Sequence, residues 1–484
     1  MRNHRLPAEA GTFPAPCLLA ALLMAVAMPA TASDELDSLV AGSVPSVAAE
    51  AARKDAISLS LLSAWDAALR HDAVYQRALA ERDVSHEELA LGRSQLLPQV
   101  NLTGSLGQAR TTSERLGPTG PVGQQQKYDT ESWALQLRQP LFRPRAWVAY
   151  AQGKVLDAQG EQQLRAARQD LALRLLDATA GLLEAEAGLR AAELVRATQG
   201  QLVVLATRQR QAGEGTRVQE SRTIAAHDQA RRDVLSRRAE REQARQLWRQ
   251  LVGTLPAPVQ AGKGLVEILT LPGEGDLRAL LALAERHNPA FASARAEVEL
   301  ARLEARRARG ERLPTVDLVS SRSFNDSESD NIIGSSFDTT RVAVQASLPL
   351  FTGGALSATI RQKDASLRVA EARLTELRER AHALMATDVL RHEEARTALA
   401  AAASALQAAR DQFRQAELGR IAGTATLAEF VEAEVTRVNA ERDEAQALAA
   451  LLRAWARVHE TTGLLQESLF ELLDDHLIWV NALR

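Results

Sequence analysis

A chain that repeats its own plan at a spacing of about 210 residues has few folds open to it, and this chain does so. His71-Asp72-Ala73 followed by Leu97-Pro98-Gln99-Val100 returns as His287-Asn288-Pro289 followed by Leu313-Pro314-Thr315-Val316. Gln139-Pro140-Leu141-Phe142 returns as Leu348-Pro349-Leu350-Phe351, and Gly213 and Gly253 return as Gly423 and Gly463. Each copy predicts a helix, a strand, a loop, a strand, a very long helix and a shorter helix. The first helices cover roughly 60–95 and 277–311, each ended by a Leu-Pro that cannot continue it. The copies span 60–253 and 277–463, joined by a connection over 254–276 and followed by a tail, 464–484.

The long helices start near Ala146 and Leu356, and no proline occurs in 145–255 or in 350–484. Leu171, Leu175, Ala178, Leu182, Ala185, Leu189 and Ala192 recur at spacings of 4 and 3, a coiled-coil seam. Leu367, Ala370, Leu374, Leu377, Ala381 and Leu384 form its counterpart, resumed at Leu399, Ala402, Leu406, Ala409 and Phe413. A helix of about 65 residues is roughly 100 Å long and cannot hide its seam inside a globule, so it must lie against neighbours.

The strands alternate. Val100, Leu102, Gly104 and Leu106 oppose Asn101, Thr103 and Ser105, and Val342, Val344 and Ala346 oppose Arg341, Gln345 and Ser347. Stretches of about ten residues with one apolar face fit strands between lipid and water. Four strands cannot close a barrel, whereas three chains supply twelve and leave no free edge. Polar loops are expected at 111–130 and 326–337.

Arg2 and Arg5 precede an apolar run, Leu18–Met28, and Ala30-Thr31-Ala32 supplies a signal-peptidase pattern, so 1–32 reads as a signal peptide and 33–59 as an N-terminal periplasmic segment. Cys17 is removed with it, leaving a mature chain without cysteine. A net charge of −3 and no basic patch interleaved with aromatics argue against nucleic acid. With 4% aromatic residues the composition is that of packed helices.

The duplicated plan, Arg138-Gln139-Pro140-Leu141-Phe142 followed by Trp147, Leu348-Pro349-Leu350-Phe351 followed by Gly353-Gly354, and the turns at Gly213 and Gly423 together resemble the TolC family of outer-membrane export proteins over nearly the whole mature chain. The resemblance implies a mainly α fold with a membrane β-barrel. It would be a homotrimer with a twelve-strand outer-membrane barrel continuing into a twelve-helix periplasmic α-barrel. The connection 254–276 and the tail 464–484 would form an equatorial belt. It also implies an inner-membrane ABC transporter and a periplasmic membrane-fusion adaptor as partners, and outer-membrane lipid around the barrel.

In such a protein the helix-turn glycines, Gly213 and Gly423, mark a periplasmic gate. Glu429 and Glu432, three residues apart on one helix face, match the family's acidic gate ring; acids in a helix's first turns also simply favour its positive end. Gln219 stands where relatives often carry an acid and Ala425 where a gate arginine is expected, so Arg217, Glu220 and Arg420 are candidate links in its place.

No phosphate-binding loop, zinc-protease pair of histidines or nucleophile elbow occurs, so neither catalysis nor a metal or cofactor is expected. The leading expectation is the outer-membrane duct of a type I secretion system exporting a large protein such as a repeat-in-toxin. Drug or metal efflux through the same duct, and a pore-less periplasmic coiled-coil scaffold, are the alternatives.

Overall fold

A computed structural model describes residues 57–58, 60–117, 120–262, 264–272, 276–329 and 332–479. The signal segment 1–32 and Cys17 lie outside them, as do residues 33–56 and 59. The first half runs β1 (Ile57–Ser58), α1 (Leu61–His71), α2 (Ala73–Ser94), β2 (Gln99–Gly117), β3 (Gly120–Phe142), α3 (Pro144–Gln211) and α4 (Arg217–Val252). Then follow β4 (Leu255–Pro256), β5 (Val259–Ala261) and α5 (Leu265–Ile268). The second half runs α6 (Leu277–His287), α7 (Pro289–Gly310), β6 (Thr315–Ser329), β7 (Ile332–Ser347), α8 (Ala355–Ile421) and α9 (Leu427–Thr462), closed by α10 (Glu467–Asp474) and β8 (Leu477–Trp479).

The expected helices over 60–95 and 277–311 are each two helices. Asp72 leaves the helical region at ψ 116° and accepts from the Tyr75 N–H at 2.9 Å, capping α2. Asn288 repeats the device, accepting from the Ala290 N–H at 2.8 Å with Pro289 in the first helical position. Arg174 of α3 grips Asp72 through two bonds of 2.9 Å, fixing the bend against the long helix.

The four long strands form one antiparallel sheet in the order β2-β3-β6-β7. The polar stretches expected as loops are mostly paired strand: the β2–β3 ladder runs on to Gly117↔Gly120 and β6–β7 to Ser329↔Ile332. Ladder bonds satisfy their backbone, so loss of the apolar alternation does not end the strands. The register puts Val100 beside Leu137, Leu102 beside Leu135 and Leu318 beside Val344 on one face, with Val100, Leu102, Val342 and Val344 exposed. Ser105 and Ser132 share a 2.8 Å hydrogen bond on the other face. Trp133 stacks on Phe324 (6.0 Å) at one end of the apolar stripe, and Phe142 meets Trp147 edge-on (5.2 Å) at the other. Paired aromatic levels bounding an apolar band suit a membrane with two interfaces. Among the described residues no helix is long and apolar enough to cross a membrane.

Below the sheet, α3 is flanked by α2 and α4 on one side and by α7 and α9 on the other, and α8 packs on α7 and α9. Helices α2 and α3 approach closely: a Cβ on Gly153 would lie 2.5 Å from the Glu88 carbonyl oxygen, and one on Gly92 2.7 Å from that of Ala149. Leu171, Leu175, Leu182 and Leu189 are buried as their spacing predicts. In α8 the seam departs from the expected one, since Leu384 is 51% exposed and Met385 is fully buried. A straight helix drifts by about 20° per heptad against a 3.5-residue repeat, which moves the buried line one residue on.

The main apolar core sits midway along the long helices, where Trp65 stacks on Phe470 (4.7 Å) and Trp248 meets Trp479 at a tilt (5.4 Å) around Leu171, Leu175 and Trp455. Strand β1 pairs with β4 and β5 with β8, tying the segments before, between and after the two halves together. The segment after α5 is clamped here: His392 Nε2 bonds the Leu269 carbonyl at 2.9 Å and the Trp455 indole N–H donates to that of Thr270 at 3.1 Å. Burial pushes His392 below the usual histidine range, opposed by its Leu269 bond. Burial also lowers His459, with neighbouring His392 adding to the effect against a bond to the Trp455 carbonyl. An unfolded histidine takes up its proton near 6.5, so these two stabilise the fold fully above that pH and progressively less as pH falls below it. Asp177 and Glu460, both raised chiefly by burial, act in the opposite sense. A His392→Gln/His459→Gln variant, which keeps an N–H for Leu269, is expected to cut the fall in Tm between about pH 7 and pH 5 by roughly half. Calorimetry on the detergent-solubilised protein checks this; an unchanged pH slope would remove the histidines from the account.

Candidate gate at the helical turns

The two hairpin turns share one backbone geometry. In the first, Ala212 N–H donates to Arg208, and the N–H groups of Glu214 and Gly215 both reach the Gln209 carbonyl at 2.9 and 3.0 Å. In the second, Ala422 donates to Leu418, and Thr424 and Ala425 both reach Gly419 at 2.8 and 3.0 Å. Gly213 and Gly423 have φ of 80° and 74°, and a Cβ on either would meet nothing within 4 Å. Glycine is needed there for its left-handed backbone and not for space.

Different side chains hold the two turns. In the first, Thr216 caps α4 by accepting from the Gln219 N–H at 3.2 Å, and Arg210 reaches across to Glu220 at 2.5 Å. That hydrogen bond to Arg210 holds the Glu220 carboxyl below its usual range. In the second, the Arg420 guanidinium lies 4.9 Å over the Phe430 ring, Phe430 meets Phe413 at 5.3 Å, and Arg437 covers Phe413 at 4.9 Å. Among the described residues no ion pair joins one turn to the other. Glu220 and Arg420 therefore brace their own hairpins, and Arg217 has no ion-pair partner there.

Glu429 and Glu432 both lie exposed near the start of α9, and they are not equivalent. Thr426 and Glu429 form a capping box: Glu429 Oε2 accepts from the Thr426 backbone N–H (2.7 Å) and hydroxyl (2.9 Å), and the Glu429 N–H returns to Thr426 Oγ1 (3.2 Å). These bonds, the backbone one first, lower the Glu429 carboxyl, which stays ionised. The Glu432 carboxylate has no partner among the described residues. Sequence reasoning passed over Thr426, although Thr-x-x-Glu is a readable capping signature, and over Arg210 and Phe430, and it read Phe413 only as a seam residue; these pairings appear only once the helices fold back.

A four-stranded antiparallel sheet leading into helices of 68 and 67 residues is the architecture of a TolC-like outer-membrane channel. The chain belongs to the outer membrane efflux protein family, whose model matches residues 65–254 and again 280–464. It is 30% identical to the proteases secretion protein PrtF of Dickeya chrysanthemi over 85% of this chain and 89% of that one. It is 27% identical to the alkaline protease secretion protein AprF of Pseudomonas aeruginosa over 87% and 88%. Among solved structures, the open state of the Neisseria gonorrhoeae MtrE outer membrane channel superposes with a TM-score of 0.67 at 18% identity, covering 84% of this chain and 90% of that one. The family's members are channels and not enzymes.

Proposed function

We propose that this chain is the outer-membrane channel-tunnel of a type I secretion system, exporting a protein substrate directly to the exterior. The observation that carries the reading is the end-to-end similarity to two protease secretion proteins. An inner-membrane ABC transporter and a periplasmic membrane-fusion adaptor supply energy and cargo. The two halves are copies of one unit, and the segments 254–276 and 464–484 form its equatorial belt. Strands β2 and β7 are the free edges of the protomer's sheet and run in opposite directions, so β7 of one copy continues antiparallel onto β2 of the next. Three copies then close a twelve-strand barrel and a twelve-helix tunnel. Expressed in a strain lacking its protease-secretion outer-membrane component, the chain is expected to restore extracellular protease; restored drug resistance without secretion would favour the efflux alternative.

At the narrow end, Glu429 and Glu432 from three copies form a ring of six carboxylates, with Gly213 and Gly423 as the turns that carry it, Glu220 and Arg420 bracing their hairpins, and Arg217 and Gln219 as the candidate links beside them. Glu429→Gln/Glu432→Gln removes the charge while glutamine keeps the capping box. The pore in lipid bilayers is expected to lose most of its cation preference and its block by multivalent cations from the periplasmic side. An unchanged block with the trimer intact would reduce both acids to solvated helix-end residues.

A further inference from the structure

Where α3 passes the junction of α6 and α7 and the start of α10, the wall opens into a cleft of about 460 Å³. Arg165, Arg168, Arg286 and His287 line it against a single carboxylate, Glu467. Arg168 takes that carboxylate at 2.6 Å and lies 5.7 Å over the ring of Trp65. Arg165 and Arg286 have no ion-pair partner among the described residues and so leave their charge in the cleft. The N-cap of α10, Gln466, makes no side-chain cap bond, so a partly positive helix end adds to the same field.

We propose that this cleft docks an acidic peptide segment of a periplasmic partner. The cations are spread along a wall instead of converging on one point: Arg165 and Arg168 stand about one turn apart on α3, and Arg286 stands on α6. That spacing suits successive carboxylates on an extended chain better than one phosphate. The fork of each guanidinium matches a carboxylate with two parallel bonds. Gln162 and Gln466 add amides for a peptide backbone. A second copy of this chain is not the occupant, because α3 is covered on both flanks while the protomer's free flanks are α8 and the α2–α4 side. The inference rests on neither the secretion reading nor the gate.

The test is fluorescence anisotropy of a labelled peptide of alternating Asp and Glu, titrated with the full chain in detergent at low salt. Binding is expected for the acidic peptide and absent for a Lys peptide of equal length. Arg165→Gln/Arg286→Gln should weaken it about tenfold or more, the loss of one or two charge-assisted bonds. Neither arginine has an ion-pair partner to lose, so an unchanged Tm shows that the fold is intact. Arg373→Gln on α8 should bind as the parent does. Equal affinity of the double variant and the parent, or an equal loss in Arg373→Gln, overturns the proposal. So does full displacement of the peptide by millimolar inorganic phosphate, which would make the cleft a small-anion site.

Discussion

Leu182→Asp is expected to yield no folded protomer. Leu182 is 1% exposed in the core shared by α3, α4 and α9, where Leu251, Leu448 and Leu452 are also buried. Removing the leucine forfeits about 2–3 kcal/mol of apolar burial. The unpaired carboxylate must then either stay charged among hydrocarbon or take up a proton, and each course costs several kcal/mol more. Together these approach the whole stability of a typical domain, about 5–15 kcal/mol. Leu384→Asp is the informative contrast. Half exposed on the free flank of α8, it should leave a helical, folded monomer while lowering the yield of the proposed trimer. Circular dichroism and mass measurement in mild detergent separate the outcomes. Wild-type amounts of trimer from Leu182→Asp would mean that α3 packs through another face.

The contrast also shows how far a heptad pattern reaches. On α3, which has neighbours on both flanks, every leucine of the predicted seam is buried, because two of its faces meet other helices. On α8, with one flank free, burial depends on rotation by a fraction of a turn, and a pattern one residue out places Leu384 in the open. The strands tell a similar story. Apolar alternation marks the exposed apolar band of the sheet, and it ends near Leu106 and Trp133. The ladder goes on because backbone bonds, which no side-chain pattern records, continue to be made. Asp72 and Asn288 were visible as members of a repeat, yet their role as caps that split a helix depends on backbone angles.

At the turns, glycine and spacing announced where the chain reverses, since only a left-handed residue ends both long helices the same way. The braces were not legible. Arg210 and Glu220 are ten residues apart and meet only after the reversal, and Phe413 and Phe430 meet likewise from opposite arms of a hairpin. Distance along the chain conceals such pairs, whereas the Thr426–Glu429 capping box is local and could have been read from its four residues.

Asp317→Ala is expected to loosen the junction between the sheet and the long helix α3, the second large effect. Asp317, at the start of β6, is 3% exposed, and one of its oxygens accepts from Arg138 of β3 at 2.6 and 3.2 Å and from the Arg143 side chain. Arg143 is the N-cap residue of α3, with Pro144 next, so this carboxylate ties the last turn of strand to the first turn of the long helix. Without it, two guanidinium groups face each other with no counter-charge. Breaking a buried pair costs about 3–5 kcal/mol; the lower figure applies here because Arg138 is half exposed and its share is screened. Asp317→Asn, which keeps an acceptor but not the charge, should lose less. The readouts are the Tm in detergent and tryptic cleavage after Arg145 in the first turn of α3, absent in the parent and appearing in Asp317→Ala. Adding Arg143→Leu should recover part of the loss, since it removes the less exposed of the stranded cations. A parent-like Tm and no new cleavage in Asp317→Ala would show that the strand–helix junction is held by the ladder and the helix packing alone.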